Sequence, residues 1–326
     1  PLFAPEPLNP LSGPKATIRI ARAAALAVGK GKRDYETPTS LEKLFYYPYQ
    51  WAFQYRAHLR SNDILDIASD NRLRGNLAHR LIEKMLNSRK NAHWDRGQVN
   101  DWIDKNFTSL LRQEGAVLLE YGREPEKIQF LNIARYAAWS LVDMIQRNHW
   151  EVADTEKEVK GSLENVEVKG RSDLELSRNG GKETAIVDLK WRGKSVFRNV
   201  VKSQEDLQLC LYADFASSIG HTVHTAYFII QDGLMIGRNN LAFQEVEAVS
   251  PELDHEEIGR NISEKMGKTF QWRQTQLAGG VVEIRCEATA SMLEDEMLDS
   301  PIDGLLEMKS DDARFDDYRA LIGLVR

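Results

Sequence analysis

Val166-Glu167-Val168-Lys169-Gly170-Arg171-Ser172-Asp173-Leu174-Glu175-Leu176-Ser177-Arg178-Asn179-Gly180-Gly181-Lys182-Glu183-Thr184-Ala185-Ile186-Val187-Asp188-Leu189-Lys190 decides the fold. Val166 to Leu176 and Glu183 to Lys190 alternate or run apolar with β-branched residues, as strands do. Between them Arg178-Asn179-Gly180-Gly181 is a strong hairpin turn, because Asn and Gly accept the positive φ that tight turns require. Val152 to Lys160 reads as a further strand, so three antiparallel strands are expected.

Downstream, Ser203 to Ser218 returns to helical periodicity, Thr222 to Gln231 is an apolar strand ended by Asp232-Gly233, and Pro251 to Gln276 is another helix. Upstream, Ser40 to about Trp150 is helical, with apolar residues three and four apart in Leu41-Leu44-Phe45, Leu77-Leu81-Ile82-Met85 and Ile133-Ala137-Leu141-Ile145. Pro48 and Pro125 mark breaks between helices. The order is α, β-meander, α, β, with helices on either side. Residues 1–39, rich in Pro, Gly and Ala and then basic, read as a tail or linker with room for one short helix. The expected divisions are 1–39, 40–150, 151–245 and 246–326.

The chain has 326 residues, of which 28% are charged and 42% hydrophobic, which excludes a disordered chain and a coiled-coil rod. The longest small-apolar run, Ala23 to Gly29, is far short of the roughly 20 residues that span a bilayer. Two cysteines, Cys210 and Cys286, support neither a disulfide framework nor a zinc site, so a reducing cytoplasm is expected. The start, Pro1-Leu2-Phe3-Ala4-Pro5, has no initiator Met and reads as a piece of something longer. The net charge of −6 hides an asymmetry. Ten acids against two bases lie between Glu294 and Asp317, a segment read as a solvated helix. Lys190, Arg192, Lys194, Arg198 and Lys202 form a basic run without an acid, and a second basic cluster spans Lys15 to Arg33. Such clusters suit phosphate backbones, although either alone is more often a solvated loop.

Chemistry concentrates in the β-region. Asp173 stands on one strand; Asp188 and Lys190, two residues apart on the next, point to the same side, while Leu189 goes to the core and leaves its carbonyl available. Two carboxylates and a carbonyl around one point suit a hard divalent cation, and an ammonium nearby can orient or deprotonate a water. Gln208 and Tyr212 lie one turn apart on one helix face. His79 follows Gly75 by four positions on a helix that also carries Glu83. Alone, each has a bland reading: a solvated strand edge, a core tyrosine, a surface imidazole.

The ordered set His79, Gly170-x-x-Asp173, Asp188-x-Lys190 and Gln208-x-x-x-Tyr212 resembles the PD-(D/E)XK nuclease superfamily, in particular its RecB-like branch. The resemblance implies an α/β (α+β) chain: a restriction-endonuclease-like αβββαβ core with a mixed central sheet, wrapped by N- and C-terminal helices. On it, 40–150 is the helical part carrying His79, 151–245 the catalytic core and 246–326 a C-terminal helical wrap. The implied ligands of Mg²⁺ or Mn²⁺ are His79, Asp173, Asp188 and the Leu189 carbonyl; Lys190 activates water, and Gln208 and Tyr212 assist at the scissile phosphate. An imidazole ligand favours Mn²⁺ relative to Mg²⁺. Ser40 to Trp51 and Ala313 to Gly323 look like the opening helix and closing segment of AddB-type proteins. Tyr47 stands where those relatives often carry cysteine, and no cysteine follows Cys286, so no four-cysteine iron–sulfur cluster is expected.

The implied activity is hydrolysis of DNA phosphodiester bonds, as an exonuclease of repair or recombination, on single-stranded DNA or duplex ends. Arg192, Lys194 and Arg198 are expected along the nucleic-acid backbone by charge and position. No phosphate-binding Gly-x-x-x-x-Gly-Lys-[Ser/Thr] occurs, so a helicase, if one takes part, is a partner or a missing N-terminal region. The alternative is a catalytically silent DNA-binding or scaffold domain of a helicase-nuclease complex.

Overall fold

The computed structural model describes residues 15–22, 26–28, 34–59, 71–217, 221–285, 289, 291–292, 304–306 and 316–323. In chain order its elements are β1 (Thr17–Arg19), β2 (Tyr35–Glu36), α1 (Pro38–Tyr46), α2 (Pro48–Trp51) continued by a π-helical turn over Ala52–Arg56, α3 (Asn71–Arg89), α4 (Arg96–Glu114) and α5 (Glu124–Arg147). There follow β3 (Glu151–Leu163), β4 (Val166–Arg178), β5 (Glu183–Lys190), α6 (Lys194–Lys202), α7 (Leu207–Ala216), β6 (Thr222–Ile229), β7 (Leu234–Gly237), β8 (Glu247–Ala248), α8 (His255–Ala278) and β9 (Val281–Glu283). They form two compact units. The larger comprises Ile64–Gly161 and Lys169–Ile262, the smaller Pro1–Asp63, Ser162–Val168 and Ser263–Arg326.

In the larger unit the hairpin turn forms where expected, with Asn179, Gly180 and Gly181 all at positive φ (55°, 67° and 84°). The antiparallel β4–β5 ladder runs from Arg178 opposite Glu183 to Leu174 opposite Val187. On its other side β5 pairs in parallel with β6 over its whole length. β7 joins β6 antiparallel and β8 joins β7 in parallel, so the sheet is mixed. β5 is central and buried from Ala185 to Leu189. Its Val187 and Leu189, with Leu174, Leu176 and Phe228, pack on Leu77, Leu81, Ile103, Phe130 and Leu141 of α3, α4 and α5. Its Ile186, with Tyr227 and Ile229, packs on Val201, Leu209 and Tyr212 of α6 and α7. Burying each aliphatic side chain contributes about 1.5–3 kcal/mol, so this two-faced core fixes β5 as a rigid rail. Pro48 and Pro125 open α2 and α5 from their first turns, where a missing N–H costs nothing.

The structure differs from the sequence reading at several points. Lys194–Lys202, read as a basic run, is the helix α6, and the helix expected from Ser203 starts at Leu207. The helix expected from Pro251 spans His255–Ala278. The short strands β7 and β8 add to the expected set.

In the smaller unit, part of the segment read as a tail is folded: Thr17–Arg19 pairs antiparallel with Val281–Glu283, and Ala16 and Leu26 are buried. β2 pairs in parallel with Glu167 and Val168 at the start of β4. Thr37 and Ser40 form a capping box that starts α1. Glu283, fully buried, sits 2.6 Å from Arg273 and 2.8 Å from Arg285. Tyr318 donates its hydroxyl to the Leu59 carbonyl at 2.8 Å and packs its ring 5.5 Å from Phe53. Cys286 and most of the acidic segment, 293–303 and 307–315, lie outside the described residues. Among the described residues no helix is long and apolar enough to cross a membrane.

Candidate active site

The β4–β5 ladder opens just beyond Leu174 and Val187, and the two aspartates stand at that opening. Asp173 turns its carboxylate inward and accepts the Leu189 N–H at 2.7 Å, replacing a backbone partner with a charged one. Asp188 is almost fully buried; its Oδ1 accepts from Gln208 Nε2 at 3.1 Å and its Oδ2 lies 2.6 Å from Lys190 Nζ. Lys190 is placed in turn over the rings of Phe197 (5.6 Å) and Tyr227 (6.0 Å).

α7 supplies the second layer. Gln208 also donates to the Tyr212 hydroxyl at 3.4 Å, which donates to the Arg171 carbonyl (3.0 Å) and accepts the Arg171 N–H (3.2 Å). That contact explains Gly170: a Cβ there would lie 2.7 Å from Tyr212 Cε1 and Oη. The glycine of the Gly170-x-x-Asp173 motif is therefore required by the tyrosine seated on β4 rather than by a turn.

α3 brings His79 to the same point, its Nδ1 3.7 Å from Asp173 Oδ1 and its ring beside the Leu189 carbonyl. Burial holds the imidazole below its ordinary range, with the Lys190 charge adding to the effect against the attraction of Asp188. At neutral pH His79 is therefore a neutral ring with a lone pair to offer, and its approach to Asp173 is not an ion pair. Burial and the neighbouring Asp188 charge push the Asp173 carboxyl up to about 7, against the opposing pull of the Leu189 N–H and Lys190.

A residue that sequence reading missed completes the group. Glu156 of β3 offers a carboxylate oxygen that lies, with ligand atoms of His79 and Asp173, in a set all within 4.8 Å of one another. Among the described residues this is the one such group of three. Burial, then the charge of Glu83, raises the Glu156 carboxyl above its usual range. Glu156 has φ 56°, a left-handed conformation costly for a side chain with a Cβ, and the period-two burial of β3 slips there. In the sequence it is one of three evenly spaced acids, Asp154, Glu156 and Glu158, and nothing in that spacing selects it. One imidazole nitrogen and two carboxylate oxygens fit a divalent cation such as Mg²⁺ or Mn²⁺, with Asp188 and the Leu189 carbonyl beside them.

The three expected backbone-binding cations have different partners. Arg192 is exposed, its guanidinium 3.1 and 3.2 Å from the Asn71 amide. Lys194 Nζ and Arg198 Nε both contact Glu247, at 2.8 and 3.3 Å. Trp191 is buried against Phe130.

A mixed sheet whose central strand ends in Asp-x-Lys, with a second aspartate, an imidazole and a glutamate converging on that end, is the architecture of a restriction-endonuclease-like α/β fold. The chain belongs to the PD-(D/E)XK nuclease superfamily, whose model matches residues 37–288. Members of this superfamily are typically metal-dependent nucleases. A comparison with curated proteins gives no match.

Proposed function

We propose that this chain is a divalent-metal-dependent deoxyribonuclease of the RecB-like branch, acting as an exonuclease on single-stranded DNA or duplex ends in repair or recombination. The observation that carries the reading is convergence: α3, β3, β4, β5 and α7 each send a polar side chain to the end of β5. His79, Glu156, Asp173 and Asp188 would hold the cation, with the Leu189 carbonyl. Bound there, it supplies Lewis acidity toward water and phosphate and offsets the charge that grows on the phosphoryl oxygens.

The chain's own groups do the rest. Lys190, anchored on Asp188, presents its ammonium to the attacking water or a phosphoryl oxygen. Gln208 fixes the Asp188 carboxylate, and Tyr212 pins the β4 backbone so that Asp173 cannot drift. His79, neutral, leaves a ring nitrogen unprotonated for the metal. A helicase partner, or a helicase-like region preceding this chain, would deliver the DNA end.

The test is a substrate panel: end-labelled linear single- and double-stranded DNA and covalently closed circles, each with Mg²⁺, Mn²⁺ or EDTA. The reading expects cutting of linear DNA with either metal, Mn²⁺ at least as effective, none in EDTA, and sparing of circles. Equal cutting of circles would make it an endonuclease, and binding without cutting in any condition would favour a silent scaffold domain.

A further inference from the structure

Lys194 and Arg198 are one turn apart on α6 and converge on a single carboxylate. Glu247 Oε2 lies 2.8 Å from Lys194 Nζ, and Oε1 lies 3.3 Å from Arg198 Nε. One anion bridging two cations through two oxygens is the way a phosphate diester would be held. Glu247 is presented from the edge strand β8, opposite Ile236 of β7, so its position is set by the sheet. All three side chains keep solvent access, with 44%, 60% and 30% of Lys194, Arg198 and Glu247 exposed, so an incoming polyanion can reach them. α6 is also tied to the sheet at the candidate site: Phe197 packs at a tilt against Tyr227 of β6, ring centres 4.7 Å apart, and lies under Lys190 of β5. Its first turn carries no acid and no side-chain cap, which adds the positive end of the helix dipole to the same field.

We propose that Lys194 and Arg198 form a binding site for a backbone phosphate away from the scissile bond, and that Glu247 fills it as a built-in counter-ion until DNA displaces it. This rests on the nuclease reading. Neutralised in advance, the two cations release few bound ions when DNA arrives, and they contribute little to the salt dependence of binding. Removing the Glu247 charge restores both effects.

The experiment is fluorescence anisotropy of a labelled oligonucleotide, single-stranded and duplex, in EDTA over a series of KCl concentrations. Wild type is compared with Glu247→Gln, with the triple variant Lys194→Gln/Arg198→Gln/Glu247→Gln, and with Asp101→Asn, the same charge change at an exposed site on α4. Glu247→Gln is expected to tighten binding about fivefold at low salt and to steepen the slope of log K against log salt by about one to two. Asp101→Asn leaves both near wild type, and the triple variant loses the gain. If Glu247→Gln behaves like Asp101→Asn while wild type binds and cuts DNA, the counter-ion assignment is wrong and the nuclease reading stands. If wild type neither binds DNA nor cuts it with Mg²⁺ or Mn²⁺, the nuclease reading itself fails.

Discussion

Asp173 carries the largest electrostatic load at the site. Its folded-state pKa of about 7 is well above the ordinary value of 3.8, because burial and Asp188 both oppose its charge. For a raised carboxyl the sign of the linkage is a penalty: without metal, it grows as pH rises above about 4 and is complete above about 7. Asp173→Asn, which keeps an oxygen for the Leu189 N–H, is therefore expected to raise the melting temperature at pH 8 in EDTA by about 2–4 °C for each kcal/mol relieved. The gain shrinks at pH 5, and the same variant loses cleavage. Differential scanning fluorimetry at the two pH values checks this; an unchanged or lowered melting temperature at pH 8 contradicts it. Glu156 poses the complementary case, a strained residue whose carboxylate faces His79 and Asp173. Glu156→Gln is expected to raise the Mn²⁺ concentration for half-maximal cleavage by about tenfold or more, on the scale of lost metal-site interactions, without lowering the melting temperature in EDTA. A Mn²⁺ titration indistinguishable from wild type would remove Glu156 from the ligand set.

Among the elements, the β4–β5 hairpin and α7 work as a pair. Gly170→Ala would drive a methyl to 2.7 Å from the Tyr212 ring, and displacing that ring breaks both bonds to Arg171. The expected cost is about 1–3 kcal/mol by chemical denaturation, with reduced cleavage, and Tyr212→Phe in the same background should recover little of it. This hairpin was legible because Asn179-Gly180-Gly181 has one good backbone solution, and α7 because Leu209 and Leu211 alternate with Gln208 and Tyr212 around it. α6 was not legible. Its apolar face is only Val196, Phe197, Val200 and Val201 among lysines and arginine, and Val196 is itself 60% exposed. β8 is two residues long and exists only because β7 offers a parallel edge, a tertiary fact with no local signal. Glu156 was hidden as well, since its φ of 56° is a backbone feature that the residue type Glu does not advertise.

For the molecule as a whole, two folded units are built from interleaved stretches of one chain, so sequence position was a poor guide to which residues fold together. The strand Thr17–Arg19 illustrates this: its partner is Val281–Glu283, far along the chain and invisible from the local composition that suggested a tail. In the smaller unit Glu283 is the ionic keystone. It is 0% exposed and neutralises Arg273, whose guanidinium burial pushes down to about 10, together with Arg285. Glu283→Ala leaves two buried guanidiniums uncompensated and is expected to cost about 3–5 kcal/mol, read as a large loss in melting temperature. Glu283→Gln, which keeps one of the two accepting oxygens and the side-chain volume, should cost less; equal melting temperatures for wild type and Glu283→Ala would contradict the role.

A hydrolytic site at the end of β5 is tested by single-turnover cleavage of end-labelled linear DNA with Mn²⁺ by wild type, Asp188→Ala and Lys190→Ala. Cleavage by wild type that falls about 10²–10⁴-fold in both variants, with their folds intact by circular dichroism, is the predicted result. Cleavage at the wild-type rate by either variant, or none by wild type itself, would contradict it.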